Sequence, residues 1–116
     1  MNEDNLISFV LDQLSGMGDV RSRRMFGGWH ISRDGVFFAA VHGERLYFKT
    51  SEASRKRYET MGMGPFRPRA TVTLKSLYEV PIDILEDESE LVAWAKEAVA
   101  CQIAAQRIKK QPRKKK

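Results

Sequence analysis

Three arginines fall within four positions, Arg21, Arg23 and Arg24, directly before Met25-Phe26-Gly27-Gly28. Guanidinium groups bind phosphates and carboxylates bidentately, so the cluster is a candidate grip on an anionic partner, either nucleic acid or an acidic protein surface. Gly27-Gly28 lets the backbone turn, or approach a neighbour where a Cβ would not fit. The plainer alternative is a turn or bulge shaped by the glycines, with the arginines solvated. A dinucleotide-binding fingerprint is not present, because the third glycine and the strand-to-helix context are missing.

Arg67 and Arg69 flank Pro68 after Gly64-Pro65-Phe66, with Met61 and Met63 nearby. Arginines beside adaptable apolar side chains suit a partner-binding loop. A packed loop closing the sheet edge accounts for the same residues equally well. Arg55-Lys56-Arg57 reads as a solvated helical face more readily than as a phosphate ridge. The last ten residues hold seven bases and no acid: Arg107, Lys109, Lys110, Arg113, Lys114, Lys115 and Lys116. They form a candidate electrostatic anchor for DNA, and one that reads no base sequence. A solubilising end is the alternative.

Other chemistries find little support. His30, His42 and the single Cys101 are a poor metal set, and one cysteine allows no intrachain disulfide. No Ser-His-Asp arrangement, P-loop or His-Glu-x-x-His occurs. Glu86-Asp87-Glu88 sits at a helix start, where acids favour the dipole. The expectation is a non-enzymatic protein with no catalytic residue, cofactor or metal site.

The 116 residues are 42% hydrophobic and 30% charged, one globular domain's worth. The formal charge is +5. Residues 1–106 carry thirteen bases against fifteen acids, a net −2, so the net basicity belongs to residues 107–116. Within the body, residues 1–20 carry −4, residues 21–75 carry +8 and residues 76–106 carry −6. The basic middle either presents an anion-binding face or docks the acidic helices of its own chain, and the near balance of the sums favours docking. The start, MNEDNLISF, has no secretory pattern, and the longest apolar run is Val36 to Val41. A soluble, cytoplasmic protein without a membrane partner is expected.

The elements that must position these residues follow from periodicity. Residues 4–15 read as a helix with Leu6, Phe9, Val10 and Leu14 on one face. Residues 20–50 read as three strands in a meander, turning at Asp34-Gly35 and at 42–44, with Val36 to Val41 as a central strand covered on both faces. Ser51 caps a short helix to Met61, with Ser54, Tyr58 and Met61 on one face. Gly62 to Pro68 reads as a loop. Thr71 to Val80 reads as a strand with Val72, Leu74, Tyr78 and Val80 on one face, stopped by Pro81. Asp87 caps a final helix to about Arg107, with Glu90 at N3 and a stripe of Leu91, Trp94, Ala95, Ala98, Cys101, Ala105 and Ile108. The expected class is α+β, in the order α-βββ-α-β-α, a mainly antiparallel sheet packed with helices. Residues 1–106 form the domain and residues 107–116 a basic tail too charged to fold alone.

Several fragments, in this order and spacing, carry a resemblance: Arg24-Met25-Phe26-Gly27-Gly28, Asp34-Gly35-Val36-Phe37-Phe38-Ala39, Arg45-Leu46-Tyr47-Phe48-Lys49, Gly64-Pro65-Phe66, Tyr78-Glu79-Val80-Pro81, and Trp94-Ala95 with Ala98. Over residues 5–105 the chain resembles the TfoX N-terminal domain family, relatives of bacterial regulators of natural competence. The resemblance implies a bacterial cytoplasmic protein with a secretion-chaperone-like α+β fold. It also implies regulation of competence genes by assisting a transcription activator. The larger regulators carry a second helical domain where this sequence has its basic tail. The function expected is therefore a regulatory module that binds a protein partner, with nonspecific DNA contact through the tail. A homodimer through the alanine-rich final helix is a further expectation. Direct DNA binding and a small enzyme are the alternatives.

Overall fold

The computed structural model describes residues 2–25, 27–69 and 71–110. Helix α1 spans Glu3–Gln13, and its N-cap Asn2 accepts a 2.8 Å hydrogen bond from the Asn5 N–H. A 3-10 turn over Ser15–Met17 follows. Four strands come next: β1 Val20–Met25, β2 Gly28–Arg33, β3 Val36–His42 and β4 Arg45–Lys49. Helix α2, Glu52–Thr60, starts on a reciprocal capping box between Ser51 and Ser54. Then come β5 Pro65–Arg69, β6 Val72–Glu79, the single turn α3 Ile82–Leu85 and the long α4 Glu88–Lys110. Asp87 caps α4 by accepting from the Glu90 N–H at 3.1 Å.

The fold is α+β, as expected, with one six-stranded antiparallel sheet in the order β1-β2-β3-β4-β6-β5. It has two strands more than the meander-plus-one expected from periodicity. β1 lies at one edge with neither face sealed, so it shows no apolar alternation to read. β5 corrects the loop reading of residues 62–68. Proline lacks a ladder donor but is tolerated at a sheet edge, and β5 is the opposite edge.

The main core lies on one face. Leu6, Ile7, Val10 and Leu14 of the α1 segment meet Ile31, Phe38, Ala39, Val41, Leu46, Phe48 and Tyr78 of the sheet, with Leu91, Trp94, Ala95, Ala98 and Val99 of α4. Gln13 Nε2 ties α1 to the Leu85 carbonyl at 3.0 Å. A bulge between β2 and β3 pairs Ile31 with Ala39 and Ser32 with Phe37. Phe38 is the extra residue, and the bulge turns it into the core beside Ala39. Asp34 and Gly35 both have positive φ, 51° and 81°, the paired left-handed geometry of a tight hairpin.

Four side chains differ from the periodic reading. Val72 and Leu74 are 38% and 41% exposed instead of joining Tyr78 and Val80 in the core. The β5–β6 register breaks twice, jumping from Pro65↔Tyr78 to Phe66↔Leu74, so the far half of β6 departs from the alternation of its near half. Met61 is exposed because it is the C-cap of α2 and no longer on its buried face. The α4 stripe is buried through Val99, but Ala105 is exposed, and Ile108 lies where only the backbone is described. No helix among the described residues is long and apolar enough to cross a membrane.

Candidate partner-binding face

The second face of the sheet carries no helix in its core cluster. Its small cluster is made by strands alone: Tyr47, Phe66 and Leu77, with Phe37 packed against it. One cross-strand row reads Arg23, His30, Ala40, Tyr47 and Glu79. Phe66 of the β5–β6 hairpin packs on Tyr47 and His42, with ring centroids 4.6 and 5.2 Å apart. The hairpin thereby leaves a groove of about 470 Å³ on this face. Its lining includes Met25, His30, His42, Phe66, Arg69 and Leu74.

Gly28 fixes one wall of the groove. A Cβ built there would overlap the Val41 carbonyl oxygen and stand 3.3 Å from His42 Cδ2. The strand is therefore glycine for a steric reason, independent of φ. Of the other motif positions, Gly27 has φ 77°, Gly64 meets nothing within 4 Å, Pro65 opens β5 and Pro81 is the N-cap of α3. Phe26 lies outside the described residues.

The arginines divide. Arg21 and Arg23 share the open face, and Arg24 lies on the other. Arg24 stands 5.1 Å over the Trp29 ring and 3.8 Å from Asp4, docked onto its own chain. Arg21 pairs with Asp19 at 2.9 Å, with both side chains largely exposed, so the pair adds little stability. Arg57 makes a bidentate contact with Glu97 at 3.2 and 2.5 Å and lies 4.1 Å over Trp94. Arg45 pairs with Glu79 at 2.8 Å. Arg23, Arg67 and Arg69 are exposed and have no ion pair among the described residues. The basic middle of the chain thus splits between internal docking and an unneutralised set. Arg107 is exposed on α4 and residues 109 and 110 continue the helix. Arg113, Lys114, Lys115 and Lys116 lie outside the described residues.

His30 stacks on Phe37, with centroids 4.5 Å apart and an interplanar angle of 25°. Desolvation, then the positive charges of Lys49 and Arg23, hold its imidazolium pKa below the ordinary value. The unfolded state therefore takes up this proton first as pH falls. The contribution from His30 is complete above about pH 6.5 and is lost as pH drops through the lower folded pKa. The expected result is a histidine proton resonance titrating below pH 6.5, and a urea midpoint that falls between pH 7 and 5 with a slope reduced in His30→Gln. A His30 titration at or above 6.5 would contradict it.

Among the described residues no three or more His, Cys, Asp or Glu side chains converge as a metal site. His42 ends β3 instead of sitting in the following turn. Phe37 and Tyr47 of this face fall within the ordered fragments, whereas His30, His42 and Leu74 belong to it but carry no sequence motif. The readable signal was the two-faced apolar run of β3, which requires a second covering layer.

A family model described as the TfoX N-terminal domain matches residues 12–102. The chain belongs to the TfoX N-terminal domain family. The match agrees with the resemblance carried by the ordered motifs. It takes in the whole sheet, α2, α3 and most of α4, so both faces described above belong to this TfoX N-terminal domain. No curated protein matches the chain.

Proposed function

We propose that this TfoX N-terminal domain is a regulatory module, competence-regulator-like and non-enzymatic, that acts by binding an acidic protein partner on the open face of its sheet. The observation that carries the reading is the groove lined by Arg69, with Arg23 on β1 and Arg67 on β5, two strands that contribute to its walls; all three arginines are exposed and have no ion pair among the described residues. A groove edged by apolar Val72 and Leu74 and by the Arg69 guanidinium, which has no ion pair among the described residues, suits a segment with an apolar anchor and flanking carboxylates. A transcription activator is the partner class the family suggests. The basic tail adds nonspecific DNA contact in this reading.

The test is affinity capture from the native cell with nuclease present, comparing the full chain with Arg23→Glu/Arg67→Glu/Arg69→Glu. A transcription-associated protein is expected to be retained by the full chain and reduced at least about tenfold by the variant, because three charge reversals place carboxylates against the carboxylates of an acidic partner. Equal retention by both chains would overturn the open face as the partner site. A DNA shift assay separates the tail. If all seven tail charges meet duplex phosphates, the logarithmic salt slope is about −6, and binding vanishes in a chain ending at Ile108.

A further inference from the structure

The two edges of the sheet are built differently. β5 carries Pro65 and Pro68 and two register breaks, devices that blunt an edge against further pairing. β1 carries no proline, and its pairing with β2 is regular over all six residues. Among the described residues, its only ladder partner is β2. The Asp34 N–H donates to the Asp19 carbonyl at 3.1 Å, which fixes the alternation of the ladder. Residues 19, 21, 23 and 25 then turn their backbone groups toward β2. Ser22 and Arg24 turn theirs outward. The Val20 N–H is already held by the Gly18 carbonyl at 2.9 Å. The free edge therefore offers the N–H groups of Ser22 and Arg24 and the carbonyls of Val20, Ser22 and Arg24.

Charge selects what can pair there. Arg21 and Arg23 project on the open face of this edge and Arg24 on the other. In any antiparallel register that overlaps these arginines, a second copy of β1 would bring arginine directly against arginine on one face, which is destabilising for opposed like charges. A strand with acidic residues at alternating positions would place its carboxylates on one face, beside Arg21 and Arg23.

We propose that the β1 edge of this domain binds an extended acidic segment of a protein partner as a seventh, added strand, paired to the backbone of Ser22 and Arg24 and held on the open face by the side chains of Arg23 and the neighbouring Arg21. This rests on the partner-binding reading above and adds its mode: main-chain hydrogen bonds supply affinity and the arginines supply selectivity. β1 leads directly into the groove through Met25, so one segment can pair at the edge and anchor a side chain on the open face.

The probe is an acetylated, amidated seven-residue peptide alternating glutamate with valine, titrated into the 15N-labelled full chain. The Ser22 and Arg24 amide resonances are expected to shift saturably, and their hydrogen exchange to slow. The corresponding lysine–valine peptide is expected to leave them unchanged. Ser22→Pro deletes one outward donor without removing a β2 rung, and it should weaken binding about tenfold. Loss of the folded spectrum in Ser22→Pro would show that the assigned alternation is wrong, and the proposal would fall. It is equally overturned if the lysine peptide binds as well, if shifts are confined to groove residues such as Leu74, or if only a single-stranded oligonucleotide moves Ser22 and Arg24. The two readings fail separately. Partner capture that is lost in the groove triple variant but intact in Ser22→Pro leaves the regulatory reading standing and removes the added strand.

Discussion

Gly28→Ala is expected to destabilise the fold by about 3 kcal/mol, the upper end of ordinary overpacking costs. The new methyl group would collide with the Val41 carbonyl oxygen, a backbone atom inside the β2–β3 pair. A flexible side chain could swing aside, but a ladder carbonyl yields only by separating the strands. The His42 ring, 3.3 Å from the same Cβ, closes the other escape. For a chain of this length the loss corresponds to a fall in Tm of about 10–15 °C. Thermal unfolding followed by near-ultraviolet circular dichroism measures it, and a shift below about 3 °C would refute the steric account. Because Gly28 also lines the groove, the variant should lose partner binding even at temperatures where it remains folded.

Tyr58 gives the second large effect, and its two replacements are expected to diverge. Its side chain is 0% exposed and lies between Tyr78 and Trp94, with centroids 6.1 and 4.8 Å away. It is the one aromatic that α2 contributes to the core, and Tyr58→Ala should cost about 3–5 kcal/mol through the cavity left behind. The hydroxyl is another matter. It is buried and makes no hydrogen bond of good geometry among the described residues, with the Arg57 guanidinium 5.7 Å over the ring as its polar neighbour. An unsatisfied buried hydroxyl costs about 1–3 kcal/mol, so Tyr58→Phe should leave stability unchanged or raise it by about 1 kcal/mol. Burial, then the Glu97 carboxylate, pushes the Tyr58 phenol pKa up. The unfolded state then ionises first, and stability falls as pH rises above about 10. Tyr58→Phe should remove that part of the alkaline loss. Urea unfolding of both variants at pH 7 and 10.5 checks the pattern. A Tyr58→Phe variant less stable by more than about 1 kcal/mol would mean that the hydroxyl has a stabilising partner.

The elements differ in how well they could be read. α1, α2 and α4 announced themselves because each buries one stripe and begins at a capping side chain, Asn2, Ser51 and Asp87 respectively. β2, β3 and β4 were legible because each seals a face against the helices. β1 was not, since Val-Arg-Ser-Arg-Arg-Met at an edge seals neither face. Its signal lay elsewhere, in the two-position gap before Gly28 that ends in Gly27, a hairpin spacing. Recognising β1 would also have divided the arginine cluster, because alternation separates Arg24 from Arg21 and Arg23. β5 was hidden by its prolines, which signal a loop everywhere except at an edge.

The sequence by itself determined the α+β class, the family, most of the helix-facing core and the location of the net charge in the last ten residues. These are local quantities: period, cap chemistry, turn residues and composition. Tertiary structure alone decided which bases of residues 21–75 remain available. Arg24, Arg45 and Arg57 meet carboxylates of distant segments, and Arg23, Arg67 and Arg69 meet none among the described residues. That division depends on strand order and on the register breaks in the β5–β6 hairpin, and both are set by long-range pairing. A charge sum along the chain is blind to them, because a carboxylate forty residues away in sequence neutralises an arginine only when the fold brings it within a few ångströms.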